Sequence, residues 1–331
     1  MSDVIIKRLH IRSITPSLKT GINTFNDKHN GTIFNEVEFN EITASILKTE
    51  LTYFIAEKNN VLVGICPCHS YNTGLMKRSY SNLSSHEIPY GGWIYNSEQI
   101  SLEKLIQHMP LRVNEGFWIT SHIETDDHTP YSCCHLMSNT GTTLLQELDN
   151  VNTETLFAQM NSKQRNKIKR ALNLGVEIKE ITPSDFSVFW DLICRLKAKT
   201  KMPIRNRDFY ERIFIHYNQH SRAKCLAAYY NGQPISAMIL LHNSNFANAW
   251  IAGRIEELPN NLYQNELLFW ESIKWAEEVG SKFFDFCGLD VDKLPHLARM
   301  KLSFSHDIRS IYYYSKRSLL YRLLNRLSSL C

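Results

Sequence analysis

The 331-residue sequence predicts an α/β protein of two domains. One sign is a strand–helix–strand unit near the carboxyl end. A second is a pair of hairpin-like segments that resemble each other at an offset of 172 residues. A third is length, since the chain can bury two separate cores.

The first half opens its readable pattern at Tyr53 to Ile65 (YFIAEKNNVLVGI), a strand, a turn at Asn59-Asn60 and a second strand. A loop follows at Pro89-Tyr90-Gly91-Gly92-Trp93, then a helix near Ser101 to Met109 and a strand near Gly116 to His122. This domain is expected to occupy residues 1–150. A long basic helix over Asn152 to Leu174, closed by Gly175, begins the second domain, expected at 151–315. Helices near Ser184 to Thr200 and Asp208 to Asn218 flank the loop KMPIRNR at 201–207. Cys225 to Ala237 (CLAAYYNGQPISA) repeats the strand–turn–strand pattern, with Asn231-Gly232 at its turn.

The strand–helix–strand unit comes next. Phe246 to Ala252 (FANAWIA) has the length and apolarity of a buried strand. From Asn261 onward, Leu268, Ser272, Trp275, Ala276 and Val279 repeat at the spacing of a buried helical stripe, and Gly280 stops the helix. Phe283 to Cys287 is short, apolar and aromatic, interrupted only by Asp285. A right-handed crossover makes the two strands parallel, so a ligand is expected beyond their carboxyl ends, near Gly253 and Gly288. Residues 316–331 form a basic amphipathic tail, with Leu320, Leu323, Leu324 and Leu327 on one helical face and Arg317, Arg322 and Arg326 away from it. Packing of that face on the domain is the expected arrangement; contact with an anionic membrane surface is the alternative.

Composition narrows the class. A hydrophobic fraction of 43% and a charged fraction of 21% are those of a globular protein, and no run is long and apolar enough to span a bilayer. The start MSDVIIKRLH lacks the apolar core of a signal peptide, so a cytoplasmic location is expected. The net charge of +4 is uneven: Lys163 to Arg207 holds twelve basic and four acidic residues, which leaves 25 basic against 29 acidic elsewhere. That concentration fits either a polyanionic partner or a solvated helix face. The eight cysteines read as reduced thiols. Cys66, Cys68 and His69, together with Cys133, Cys134 and His135, form the one cluster with metal-ligand residue types, but each group lies in an apolar strand-like run and no metal is expected. P-loop, dinucleotide and HExxH motifs are lacking, and no Cys and His form a recognisable nucleophile pair.

In this order, the Tyr-Gly-Gly loop at 90–92, NSKQRNKIKRALNLGVEI at 161–178, KMPIRNRDFY at 201–210, FFDFCG at 283–288 and RMKLSFS at 299–305 resemble the Fem-type N-acyltransferases. That family consists of two acetyltransferase-like (GNAT) domains in tandem. The resemblance spans about residues 50–315. It implies two mixed twisted sheets flanked by helices, and transfer of an acyl or aminoacyl group to an amine of a peptidoglycan or polysaccharide precursor. It also implies acyl-CoA or aminoacyl-tRNA as co-substrate, with no permanently bound cofactor. The family pattern Phe-Lys-x-x-Phe-Gly reads Met300-Lys301-Leu302-Ser303-Phe304-Ser305 here; Lys301 and Phe304 match, Met300 and Ser305 depart.

Acyl transfer to an amine needs a proton acceptor and donors aimed at an oxyanion. Asp285, the single ionisable residue in its strand, is the candidate base; among Phe283, Phe284 and Phe286 its pKa would be raised if it faces the site, and otherwise it is a structural acceptor. Lys301 is the candidate for stabilising developing charge or donor phosphate, with a solvated lysine as the alternative. Tyr90, Gly91, Gly92 and Phe304 are candidate substrate contacts. Arg165, Lys169, Lys199 and Arg207 are candidates for a polyanionic donor or a nucleotide- or lipid-linked acceptor. The loop RIEELPNN at 254–261 has no glycine and carries Glu256 and Glu257, which disfavours a conventional CoA pyrophosphate cradle and favours aminoacyl-tRNA or a differently held thioester. The rival reading is a degenerate GNAT pair that binds RNA or an envelope-biosynthesis partner without turnover.

Overall fold

The asparagine and glycine turns foreseen in the sequence adopt left-handed backbone at Asn59, Asn60, Asn231 and Gly232, and each joins two antiparallel strands. A computed structural model describes residues 4–83, 87–121, 134–255, 258–259 and 261–328 of the chain. It divides into two units, Met1–Gly141 with Ser310–Cys331, and Thr142–Arg309. The fold is mixed α/β, as the sequence predicts.

In the first unit, β1 (Ile5–His10), β2 (Glu50–Lys58), β3 (Val61–Thr73) and β4 (Met76–Tyr80) form an antiparallel run, with β5 (Ile94–Tyr95) beside β3. β6 (Glu115–Thr120) then pairs parallel to β4, and residues 313–317 close the sheet antiparallel to β6. Its helices ahead of the closing strand are α1 (Pro16–Lys28), α2 (Val37–Leu47) and α3 (Leu102–His108). Two apolar clusters fill this unit, one around Tyr53, Ile55, Ile22 and Val37, the other around Phe54, Trp93, Leu105 and Phe117. Tyr53 and Phe54 point to opposite sides because strand side chains alternate.

The second unit contains β7 (residues 142–147 of His135–Glu147), α4 (Thr153–Gln159), α5 (Ser162–Asn173), β8 (Glu177–Glu180), α6 (Phe186–Thr200) and α7 (Arg207–Gln219). These are followed by β9 (Ala223–Tyr230), β10 (Gln233–His242), β11 (Phe246–Arg254), α8 (Gln264–Glu278), β12 (Phe283–Asp285) and α9 (Pro295–Leu302). Its strand order is β7-β12-β11-β10-β9-β8, with β11 and β12 the one parallel pair among the described residues. The last strand, β13 (Asp307–Arg317), runs back into the first unit and leads to α10 (Leu319–Ser328).

The two units repeat one plan. β1 and β8 begin at 5 and 177, β3 and β10 at 61 and 233, β7 and β13 at 135 and 307, each pair 172 residues apart. The offset seen in the hairpins therefore extends over the strand framework. The pairing also exchanges the final strands: β13, from the end of the chain, pairs with β6, while β7 pairs with β12. This gives the C-terminal residues a place that the sequence boundaries 1–150, 151–315 and 316–331 do not anticipate. Residues 310–331 group with the first unit because their strand partners lie at 116–120.

Two element boundaries also differ. The single helix expected over 152–174 is two, because Met160 is extended (ψ 150°) and the Asn161 side chain caps α5 by accepting from Lys163 N at 2.9 Å. The strand expected over 283–287 ends at Asp285, since Cys287 takes a positive φ of 51°. The long aromatic helix forms as expected. Leu268, Ser272, Trp275 and Ala276 of α8 are buried in the core of the second unit, and Gly280 follows at φ 73°. On the opposite side of this sheet, α6 lies flush on β11: a Cβ built on Gly253 would sit 2.5 Å from Ile193 N. Gly253→Ala must push α6 and β11 apart, so thermal unfolding should show a loss of about 1–3 kcal/mol.

Candidate active site

The parallel pair β11–β12 is the feature around which the candidate site is built. Phe246, Ala247 and Asn248 face Phe283, Phe284 and Asp285; pairing stops there while β11 runs on to Arg254. Opposite Ile239 and Leu240 of β10, β11 accommodates Trp250 as an extra residue, a β-bulge that bends the strand. On the other side, the chain after β12 stays with β7: Phe286 N donates to Leu144 O at 3.0 Å and Leu289 N to Thr142 O at 2.8 Å. One strand bends and the other follows a different neighbour, so a fork opens beyond Asn248 and Asp285. At its mouth Ala252 is exposed, and Cys287 and Gly288 are half-buried.

Asp285 sits at the base of this fork and is fully buried. Its Oδ1 accepts from Thr143 Oγ1 at 2.6 Å and from Cys287 N at 2.9 Å; its Oδ2 accepts from Asn248 Nδ2 at 2.8 Å and from Cys287 Sγ at 3.3 Å. Thr143 Oγ1 in turn accepts from Gly288 N at 3.0 Å. Of the two readings the sequence left open for Asp285, these contacts are those of the structural acceptor. The carboxylate joins β7, β11 and the turn after β12. Burial, with the Asp285 charge second, pushes the Cys287 thiol well above the ordinary range, so this sulfur is a protonated donor and not a nucleophilic thiolate.

Lys301, on α9, is also buried, and its ammonium donates to Phe286 O and Gly288 O, each at 2.7 Å. The solvated-lysine alternative does not describe it. Burial lowers its pKa, opposed by the nearby Asp285 charge. Its cation holds the two carbonyls of the turn at the mouth. Phe304 packs beneath, 5.8 Å from the Phe286 ring and 6.2 Å from Phe269, as part of the core.

The remaining candidates have other partners within their own units. Tyr90, Gly91 and Gly92 belong to the first unit and are buried. They fill its equivalent fork, where β4 and β6 pair as far as Tyr80 and Trp118. A Cβ on Gly91 would meet Ser81 O at 2.6 Å, and Gly92 stands against Thr120 O with φ 77°. The loop expected to touch substrate is a packing element. Arg165 bonds Ala158 O at 2.8 Å and Met160 O, joining α4 to α5, and the Lys169 ammonium lies 6.0 Å from the Phe157 ring. Arg207 pairs with Glu211 at 2.9 Å over the Phe186 ring, and Lys199 is exposed at the end of α6. α5 packs on α8, which covers Phe284 and Phe286, whereas Phe209 and Tyr210 of α7 cover Trp250. The basic run is therefore divided between the two sides of one sheet.

Glu256 and Glu257 of the glycine-free loop, and Cys133 of the cysteine–histidine cluster, lie outside the described residues, as does the His135 side chain; Cys66 and Cys68 are buried free thiols. Two residues at the base of the fork were not singled out in the sequence. Asn248, a lone amide in an apolar strand, carried a visible signal. Thr143 carried none, being 142 positions from Asp285.

A model of the FemAB family matches residues 136–231, a stretch that contains β8, β9 and most of β7. Along its whole length the chain is similar to the crystal structure of FemX, with a TM-score of 0.65, 11% identity, and 97% of this chain and 99% of that one covered. The fold is FemAB-like, with GNAT domains in tandem. A tandem GNAT protein from the clavulanic acid biosynthesis pathway aligns with a TM-score of 0.54 at 11% identity, covering 96% of this chain and 99% of that one. A conserved protein of unknown function from Bacteroides thetaiotaomicron VPI-5482 gives 0.55 at 11%, covering 96% and 100%. No curated protein matches the sequence significantly. In the second unit the β11–β12 pair combines a bulged strand with a parallel neighbour whose pairing ends at Asp285.

Asp285→Ala would leave the Thr143 hydroxyl, the Asn248 amide and the Cys287 N–H without their acceptor. Removing one buried, charge-assisted acceptor costs about 1.5–3 kcal/mol per bond lost, so a clear fall in melting temperature should accompany any loss of activity. A variant that melts like the parent yet is inactive would instead assign Asp285 to the chemistry. Lys301→Met should leave the Phe286 and Gly288 carbonyls unpaired and raise amide hydrogen exchange in residues 286–289; unchanged exchange there would refute the clamp.

Proposed function

We propose that the chain is an N-acyltransferase that moves an acyl or aminoacyl group onto an amine of a cell-envelope precursor. The fork in the second unit is the observation that supports this most directly. Beyond Asn248 the β11 edge has no β12 partner, so its backbone N–H groups are placed to meet a carbonyl entering between the strands. Peptide N–H groups in a strand hold fixed directions and need little reorganisation as charge develops on that oxygen. The match to the FemAB family over 136–231 supports the same reaction class.

With Asp285 engaged by four donors, the chemistry rests on positioning and on polarisation of the carbonyl, and the amine's proton passes to solvent or to a group on the acceptor. That engagement is also what favours the rival reading, a GNAT pair that binds its ligand without turnover. Aminoacyl-tRNA is the preferred donor. The sequence between β11 and α8 has no glycine and carries two carboxylates, and the most basic region of the chain lies in the unit that holds the fork. Acyl-CoA held in a different manner is the alternative.

Incubating the protein with charged tRNA or with a panel of acyl-CoA, each with amine-bearing peptidoglycan or polysaccharide precursors, should yield a product heavier by one acyl or aminoacyl group. Binding of labelled tRNA should weaken by a factor of about ten or more as salt rises from low to physiological levels. Product from acyl-CoA without any tRNA affinity would assign the donor to CoA. Binding without product would favour the non-catalytic reading.

A further inference from the structure

The terminal helix α10 does not bury its leucine face. Tyr321 anchors it, fully buried and edge-on to Trp118 at 5.9 Å, and Ser318 caps it by accepting from Tyr321 N at 3.2 Å. Leu319, Leu323 and Leu327 nevertheless remain 50–70% exposed and Leu320 40%. Of the four leucines expected to pack on the domain, Leu320, Leu323 and Leu327 are exposed and Leu324 is half-buried, so the expectation is corrected for three of them. At 100° per residue Tyr321 points away from the centre of the leucine stripe, so seating the tyrosine turns the stripe outward.

Two loops extend the same surface. Leu75 is 77% exposed and Val113 75%. Asn114 Nδ2 donates to Leu75 O at 2.7 Å, and Ser318 Oγ donates to Val113 O at 2.5 Å, so the β3–β4 turn, the loop before β6 and the start of α10 adjoin. The apolar surface thus draws on three separate segments of the first unit. An array of aromatic rings lies behind it, with Tyr71 on Tyr80 at 5.7 Å, Tyr80 on Trp118 at 5.2 Å and Trp118 against Tyr321.

The charge beside this surface has one sign. Residues 310–331 contain Lys316, Arg317, Arg322 and Arg326 and no acidic residue. Lys316 is held by Ile106 O, Gln107 O and Met109 O, whereas Arg317, Arg322 and Arg326 are exposed. The nearby carboxylates are already countered, Glu50 by Lys77 and Arg112, and Glu115 by Arg8. Two copies meeting through this face would bring arginines toward arginines. No helix among the described residues is long and apolar enough to cross a membrane. A ten-residue helix with leucines on one side and arginines on its flank is instead suited to lie within a membrane surface.

We propose that α10, with Leu75 and Val113, seats the first unit on an anionic lipid bilayer, the leucines entering the boundary between headgroups and acyl chains and the arginines meeting lipid phosphates. The inference stands independently of the transfer reaction, because no residue it uses belongs to the fork. For an enzyme whose acceptor is lipid-linked, it would place the protein at its substrate.

The test is co-sedimentation of the full chain with vesicles of phosphatidylcholine alone or mixed with phosphatidylglycerol, at low and high salt. The parent protein should sediment with the mixed vesicles, sediment at most weakly with neutral ones, and be released by salt. The double variant Leu323→Glu with Leu327→Glu should reduce partitioning about tenfold or more without lowering the melting temperature, since both side chains are exposed. Arg322→Glu should weaken binding to mixed vesicles, and Val113→Glu should weaken it from a separate segment. Three results would overturn the proposal: parent protein left in the supernatant, partitioning unchanged in the double variant, or a solution dimer that the double variant dissolves.

Discussion

A single carboxylate joins the elements on which the candidate site depends. β12 is three residues long, too short to be held firmly by its own ladder, yet it lies between β11 and β7 and defines the fork. Asp285 compensates by accepting from a threonine of β7, an amide of β11 and the backbone of its own turn. A buried charge is tolerated only when donors surround it, and four are present here. The same bonds set where β12 ends and where the chain departs from β11. Lys301 completes the arrangement from α9 by fixing the two carbonyls that follow.

Around that centre, the two units show how one plan can be used in two ways. Each has a parallel strand pair that diverges after a few residues, β4 with β6 and β11 with β12. In the first unit the divergence is filled by Tyr90, Gly91 and Gly92, and the absence of side chains at the two glycines lets the loop approach Ser81 and Thr120 closely. In the second unit the fork has an exposed and half-buried mouth. A duplicated framework therefore supplies one packed fork and one candidate site. Exchange of the final strands has a separate consequence, since the first unit's sheet is completed only when the end of the chain is in place.

The basic segment illustrates how a compositional signal can be dispersed by folding. In sequence, Lys163 to Arg207 looks like one cationic patch. In the fold, its arginines act as a helix-junction clamp at Arg165 and as a partner for Glu211 at Arg207, and the helices that carry them lie on different sides of the sheet. A polyanion could engage one group or the other along its length, but the residues do not form one pocket.

What the sequence determined by itself was local. Asn59-Asn60 and Asn231-Gly232 specify tight hairpins because few residue types tolerate positive φ. The stripe on α8 and the stop at Gly280 encode a buried helix within one short stretch, and a strand on either side makes the pair parallel. The tertiary structure decided everything that needed a partner distant along the chain. Thr143 for Asp285, β6 for β13 and Phe286 O for Lys301 have no signature at either end of the contact. The direction of the leucine face on α10 was undecided for the same reason: amphipathic spacing defines a face, but only the seat of Tyr321 against Trp118 determines that the face is turned to solvent. Periodicity acts between neighbours in sequence, whereas burial depends on which surfaces finally meet.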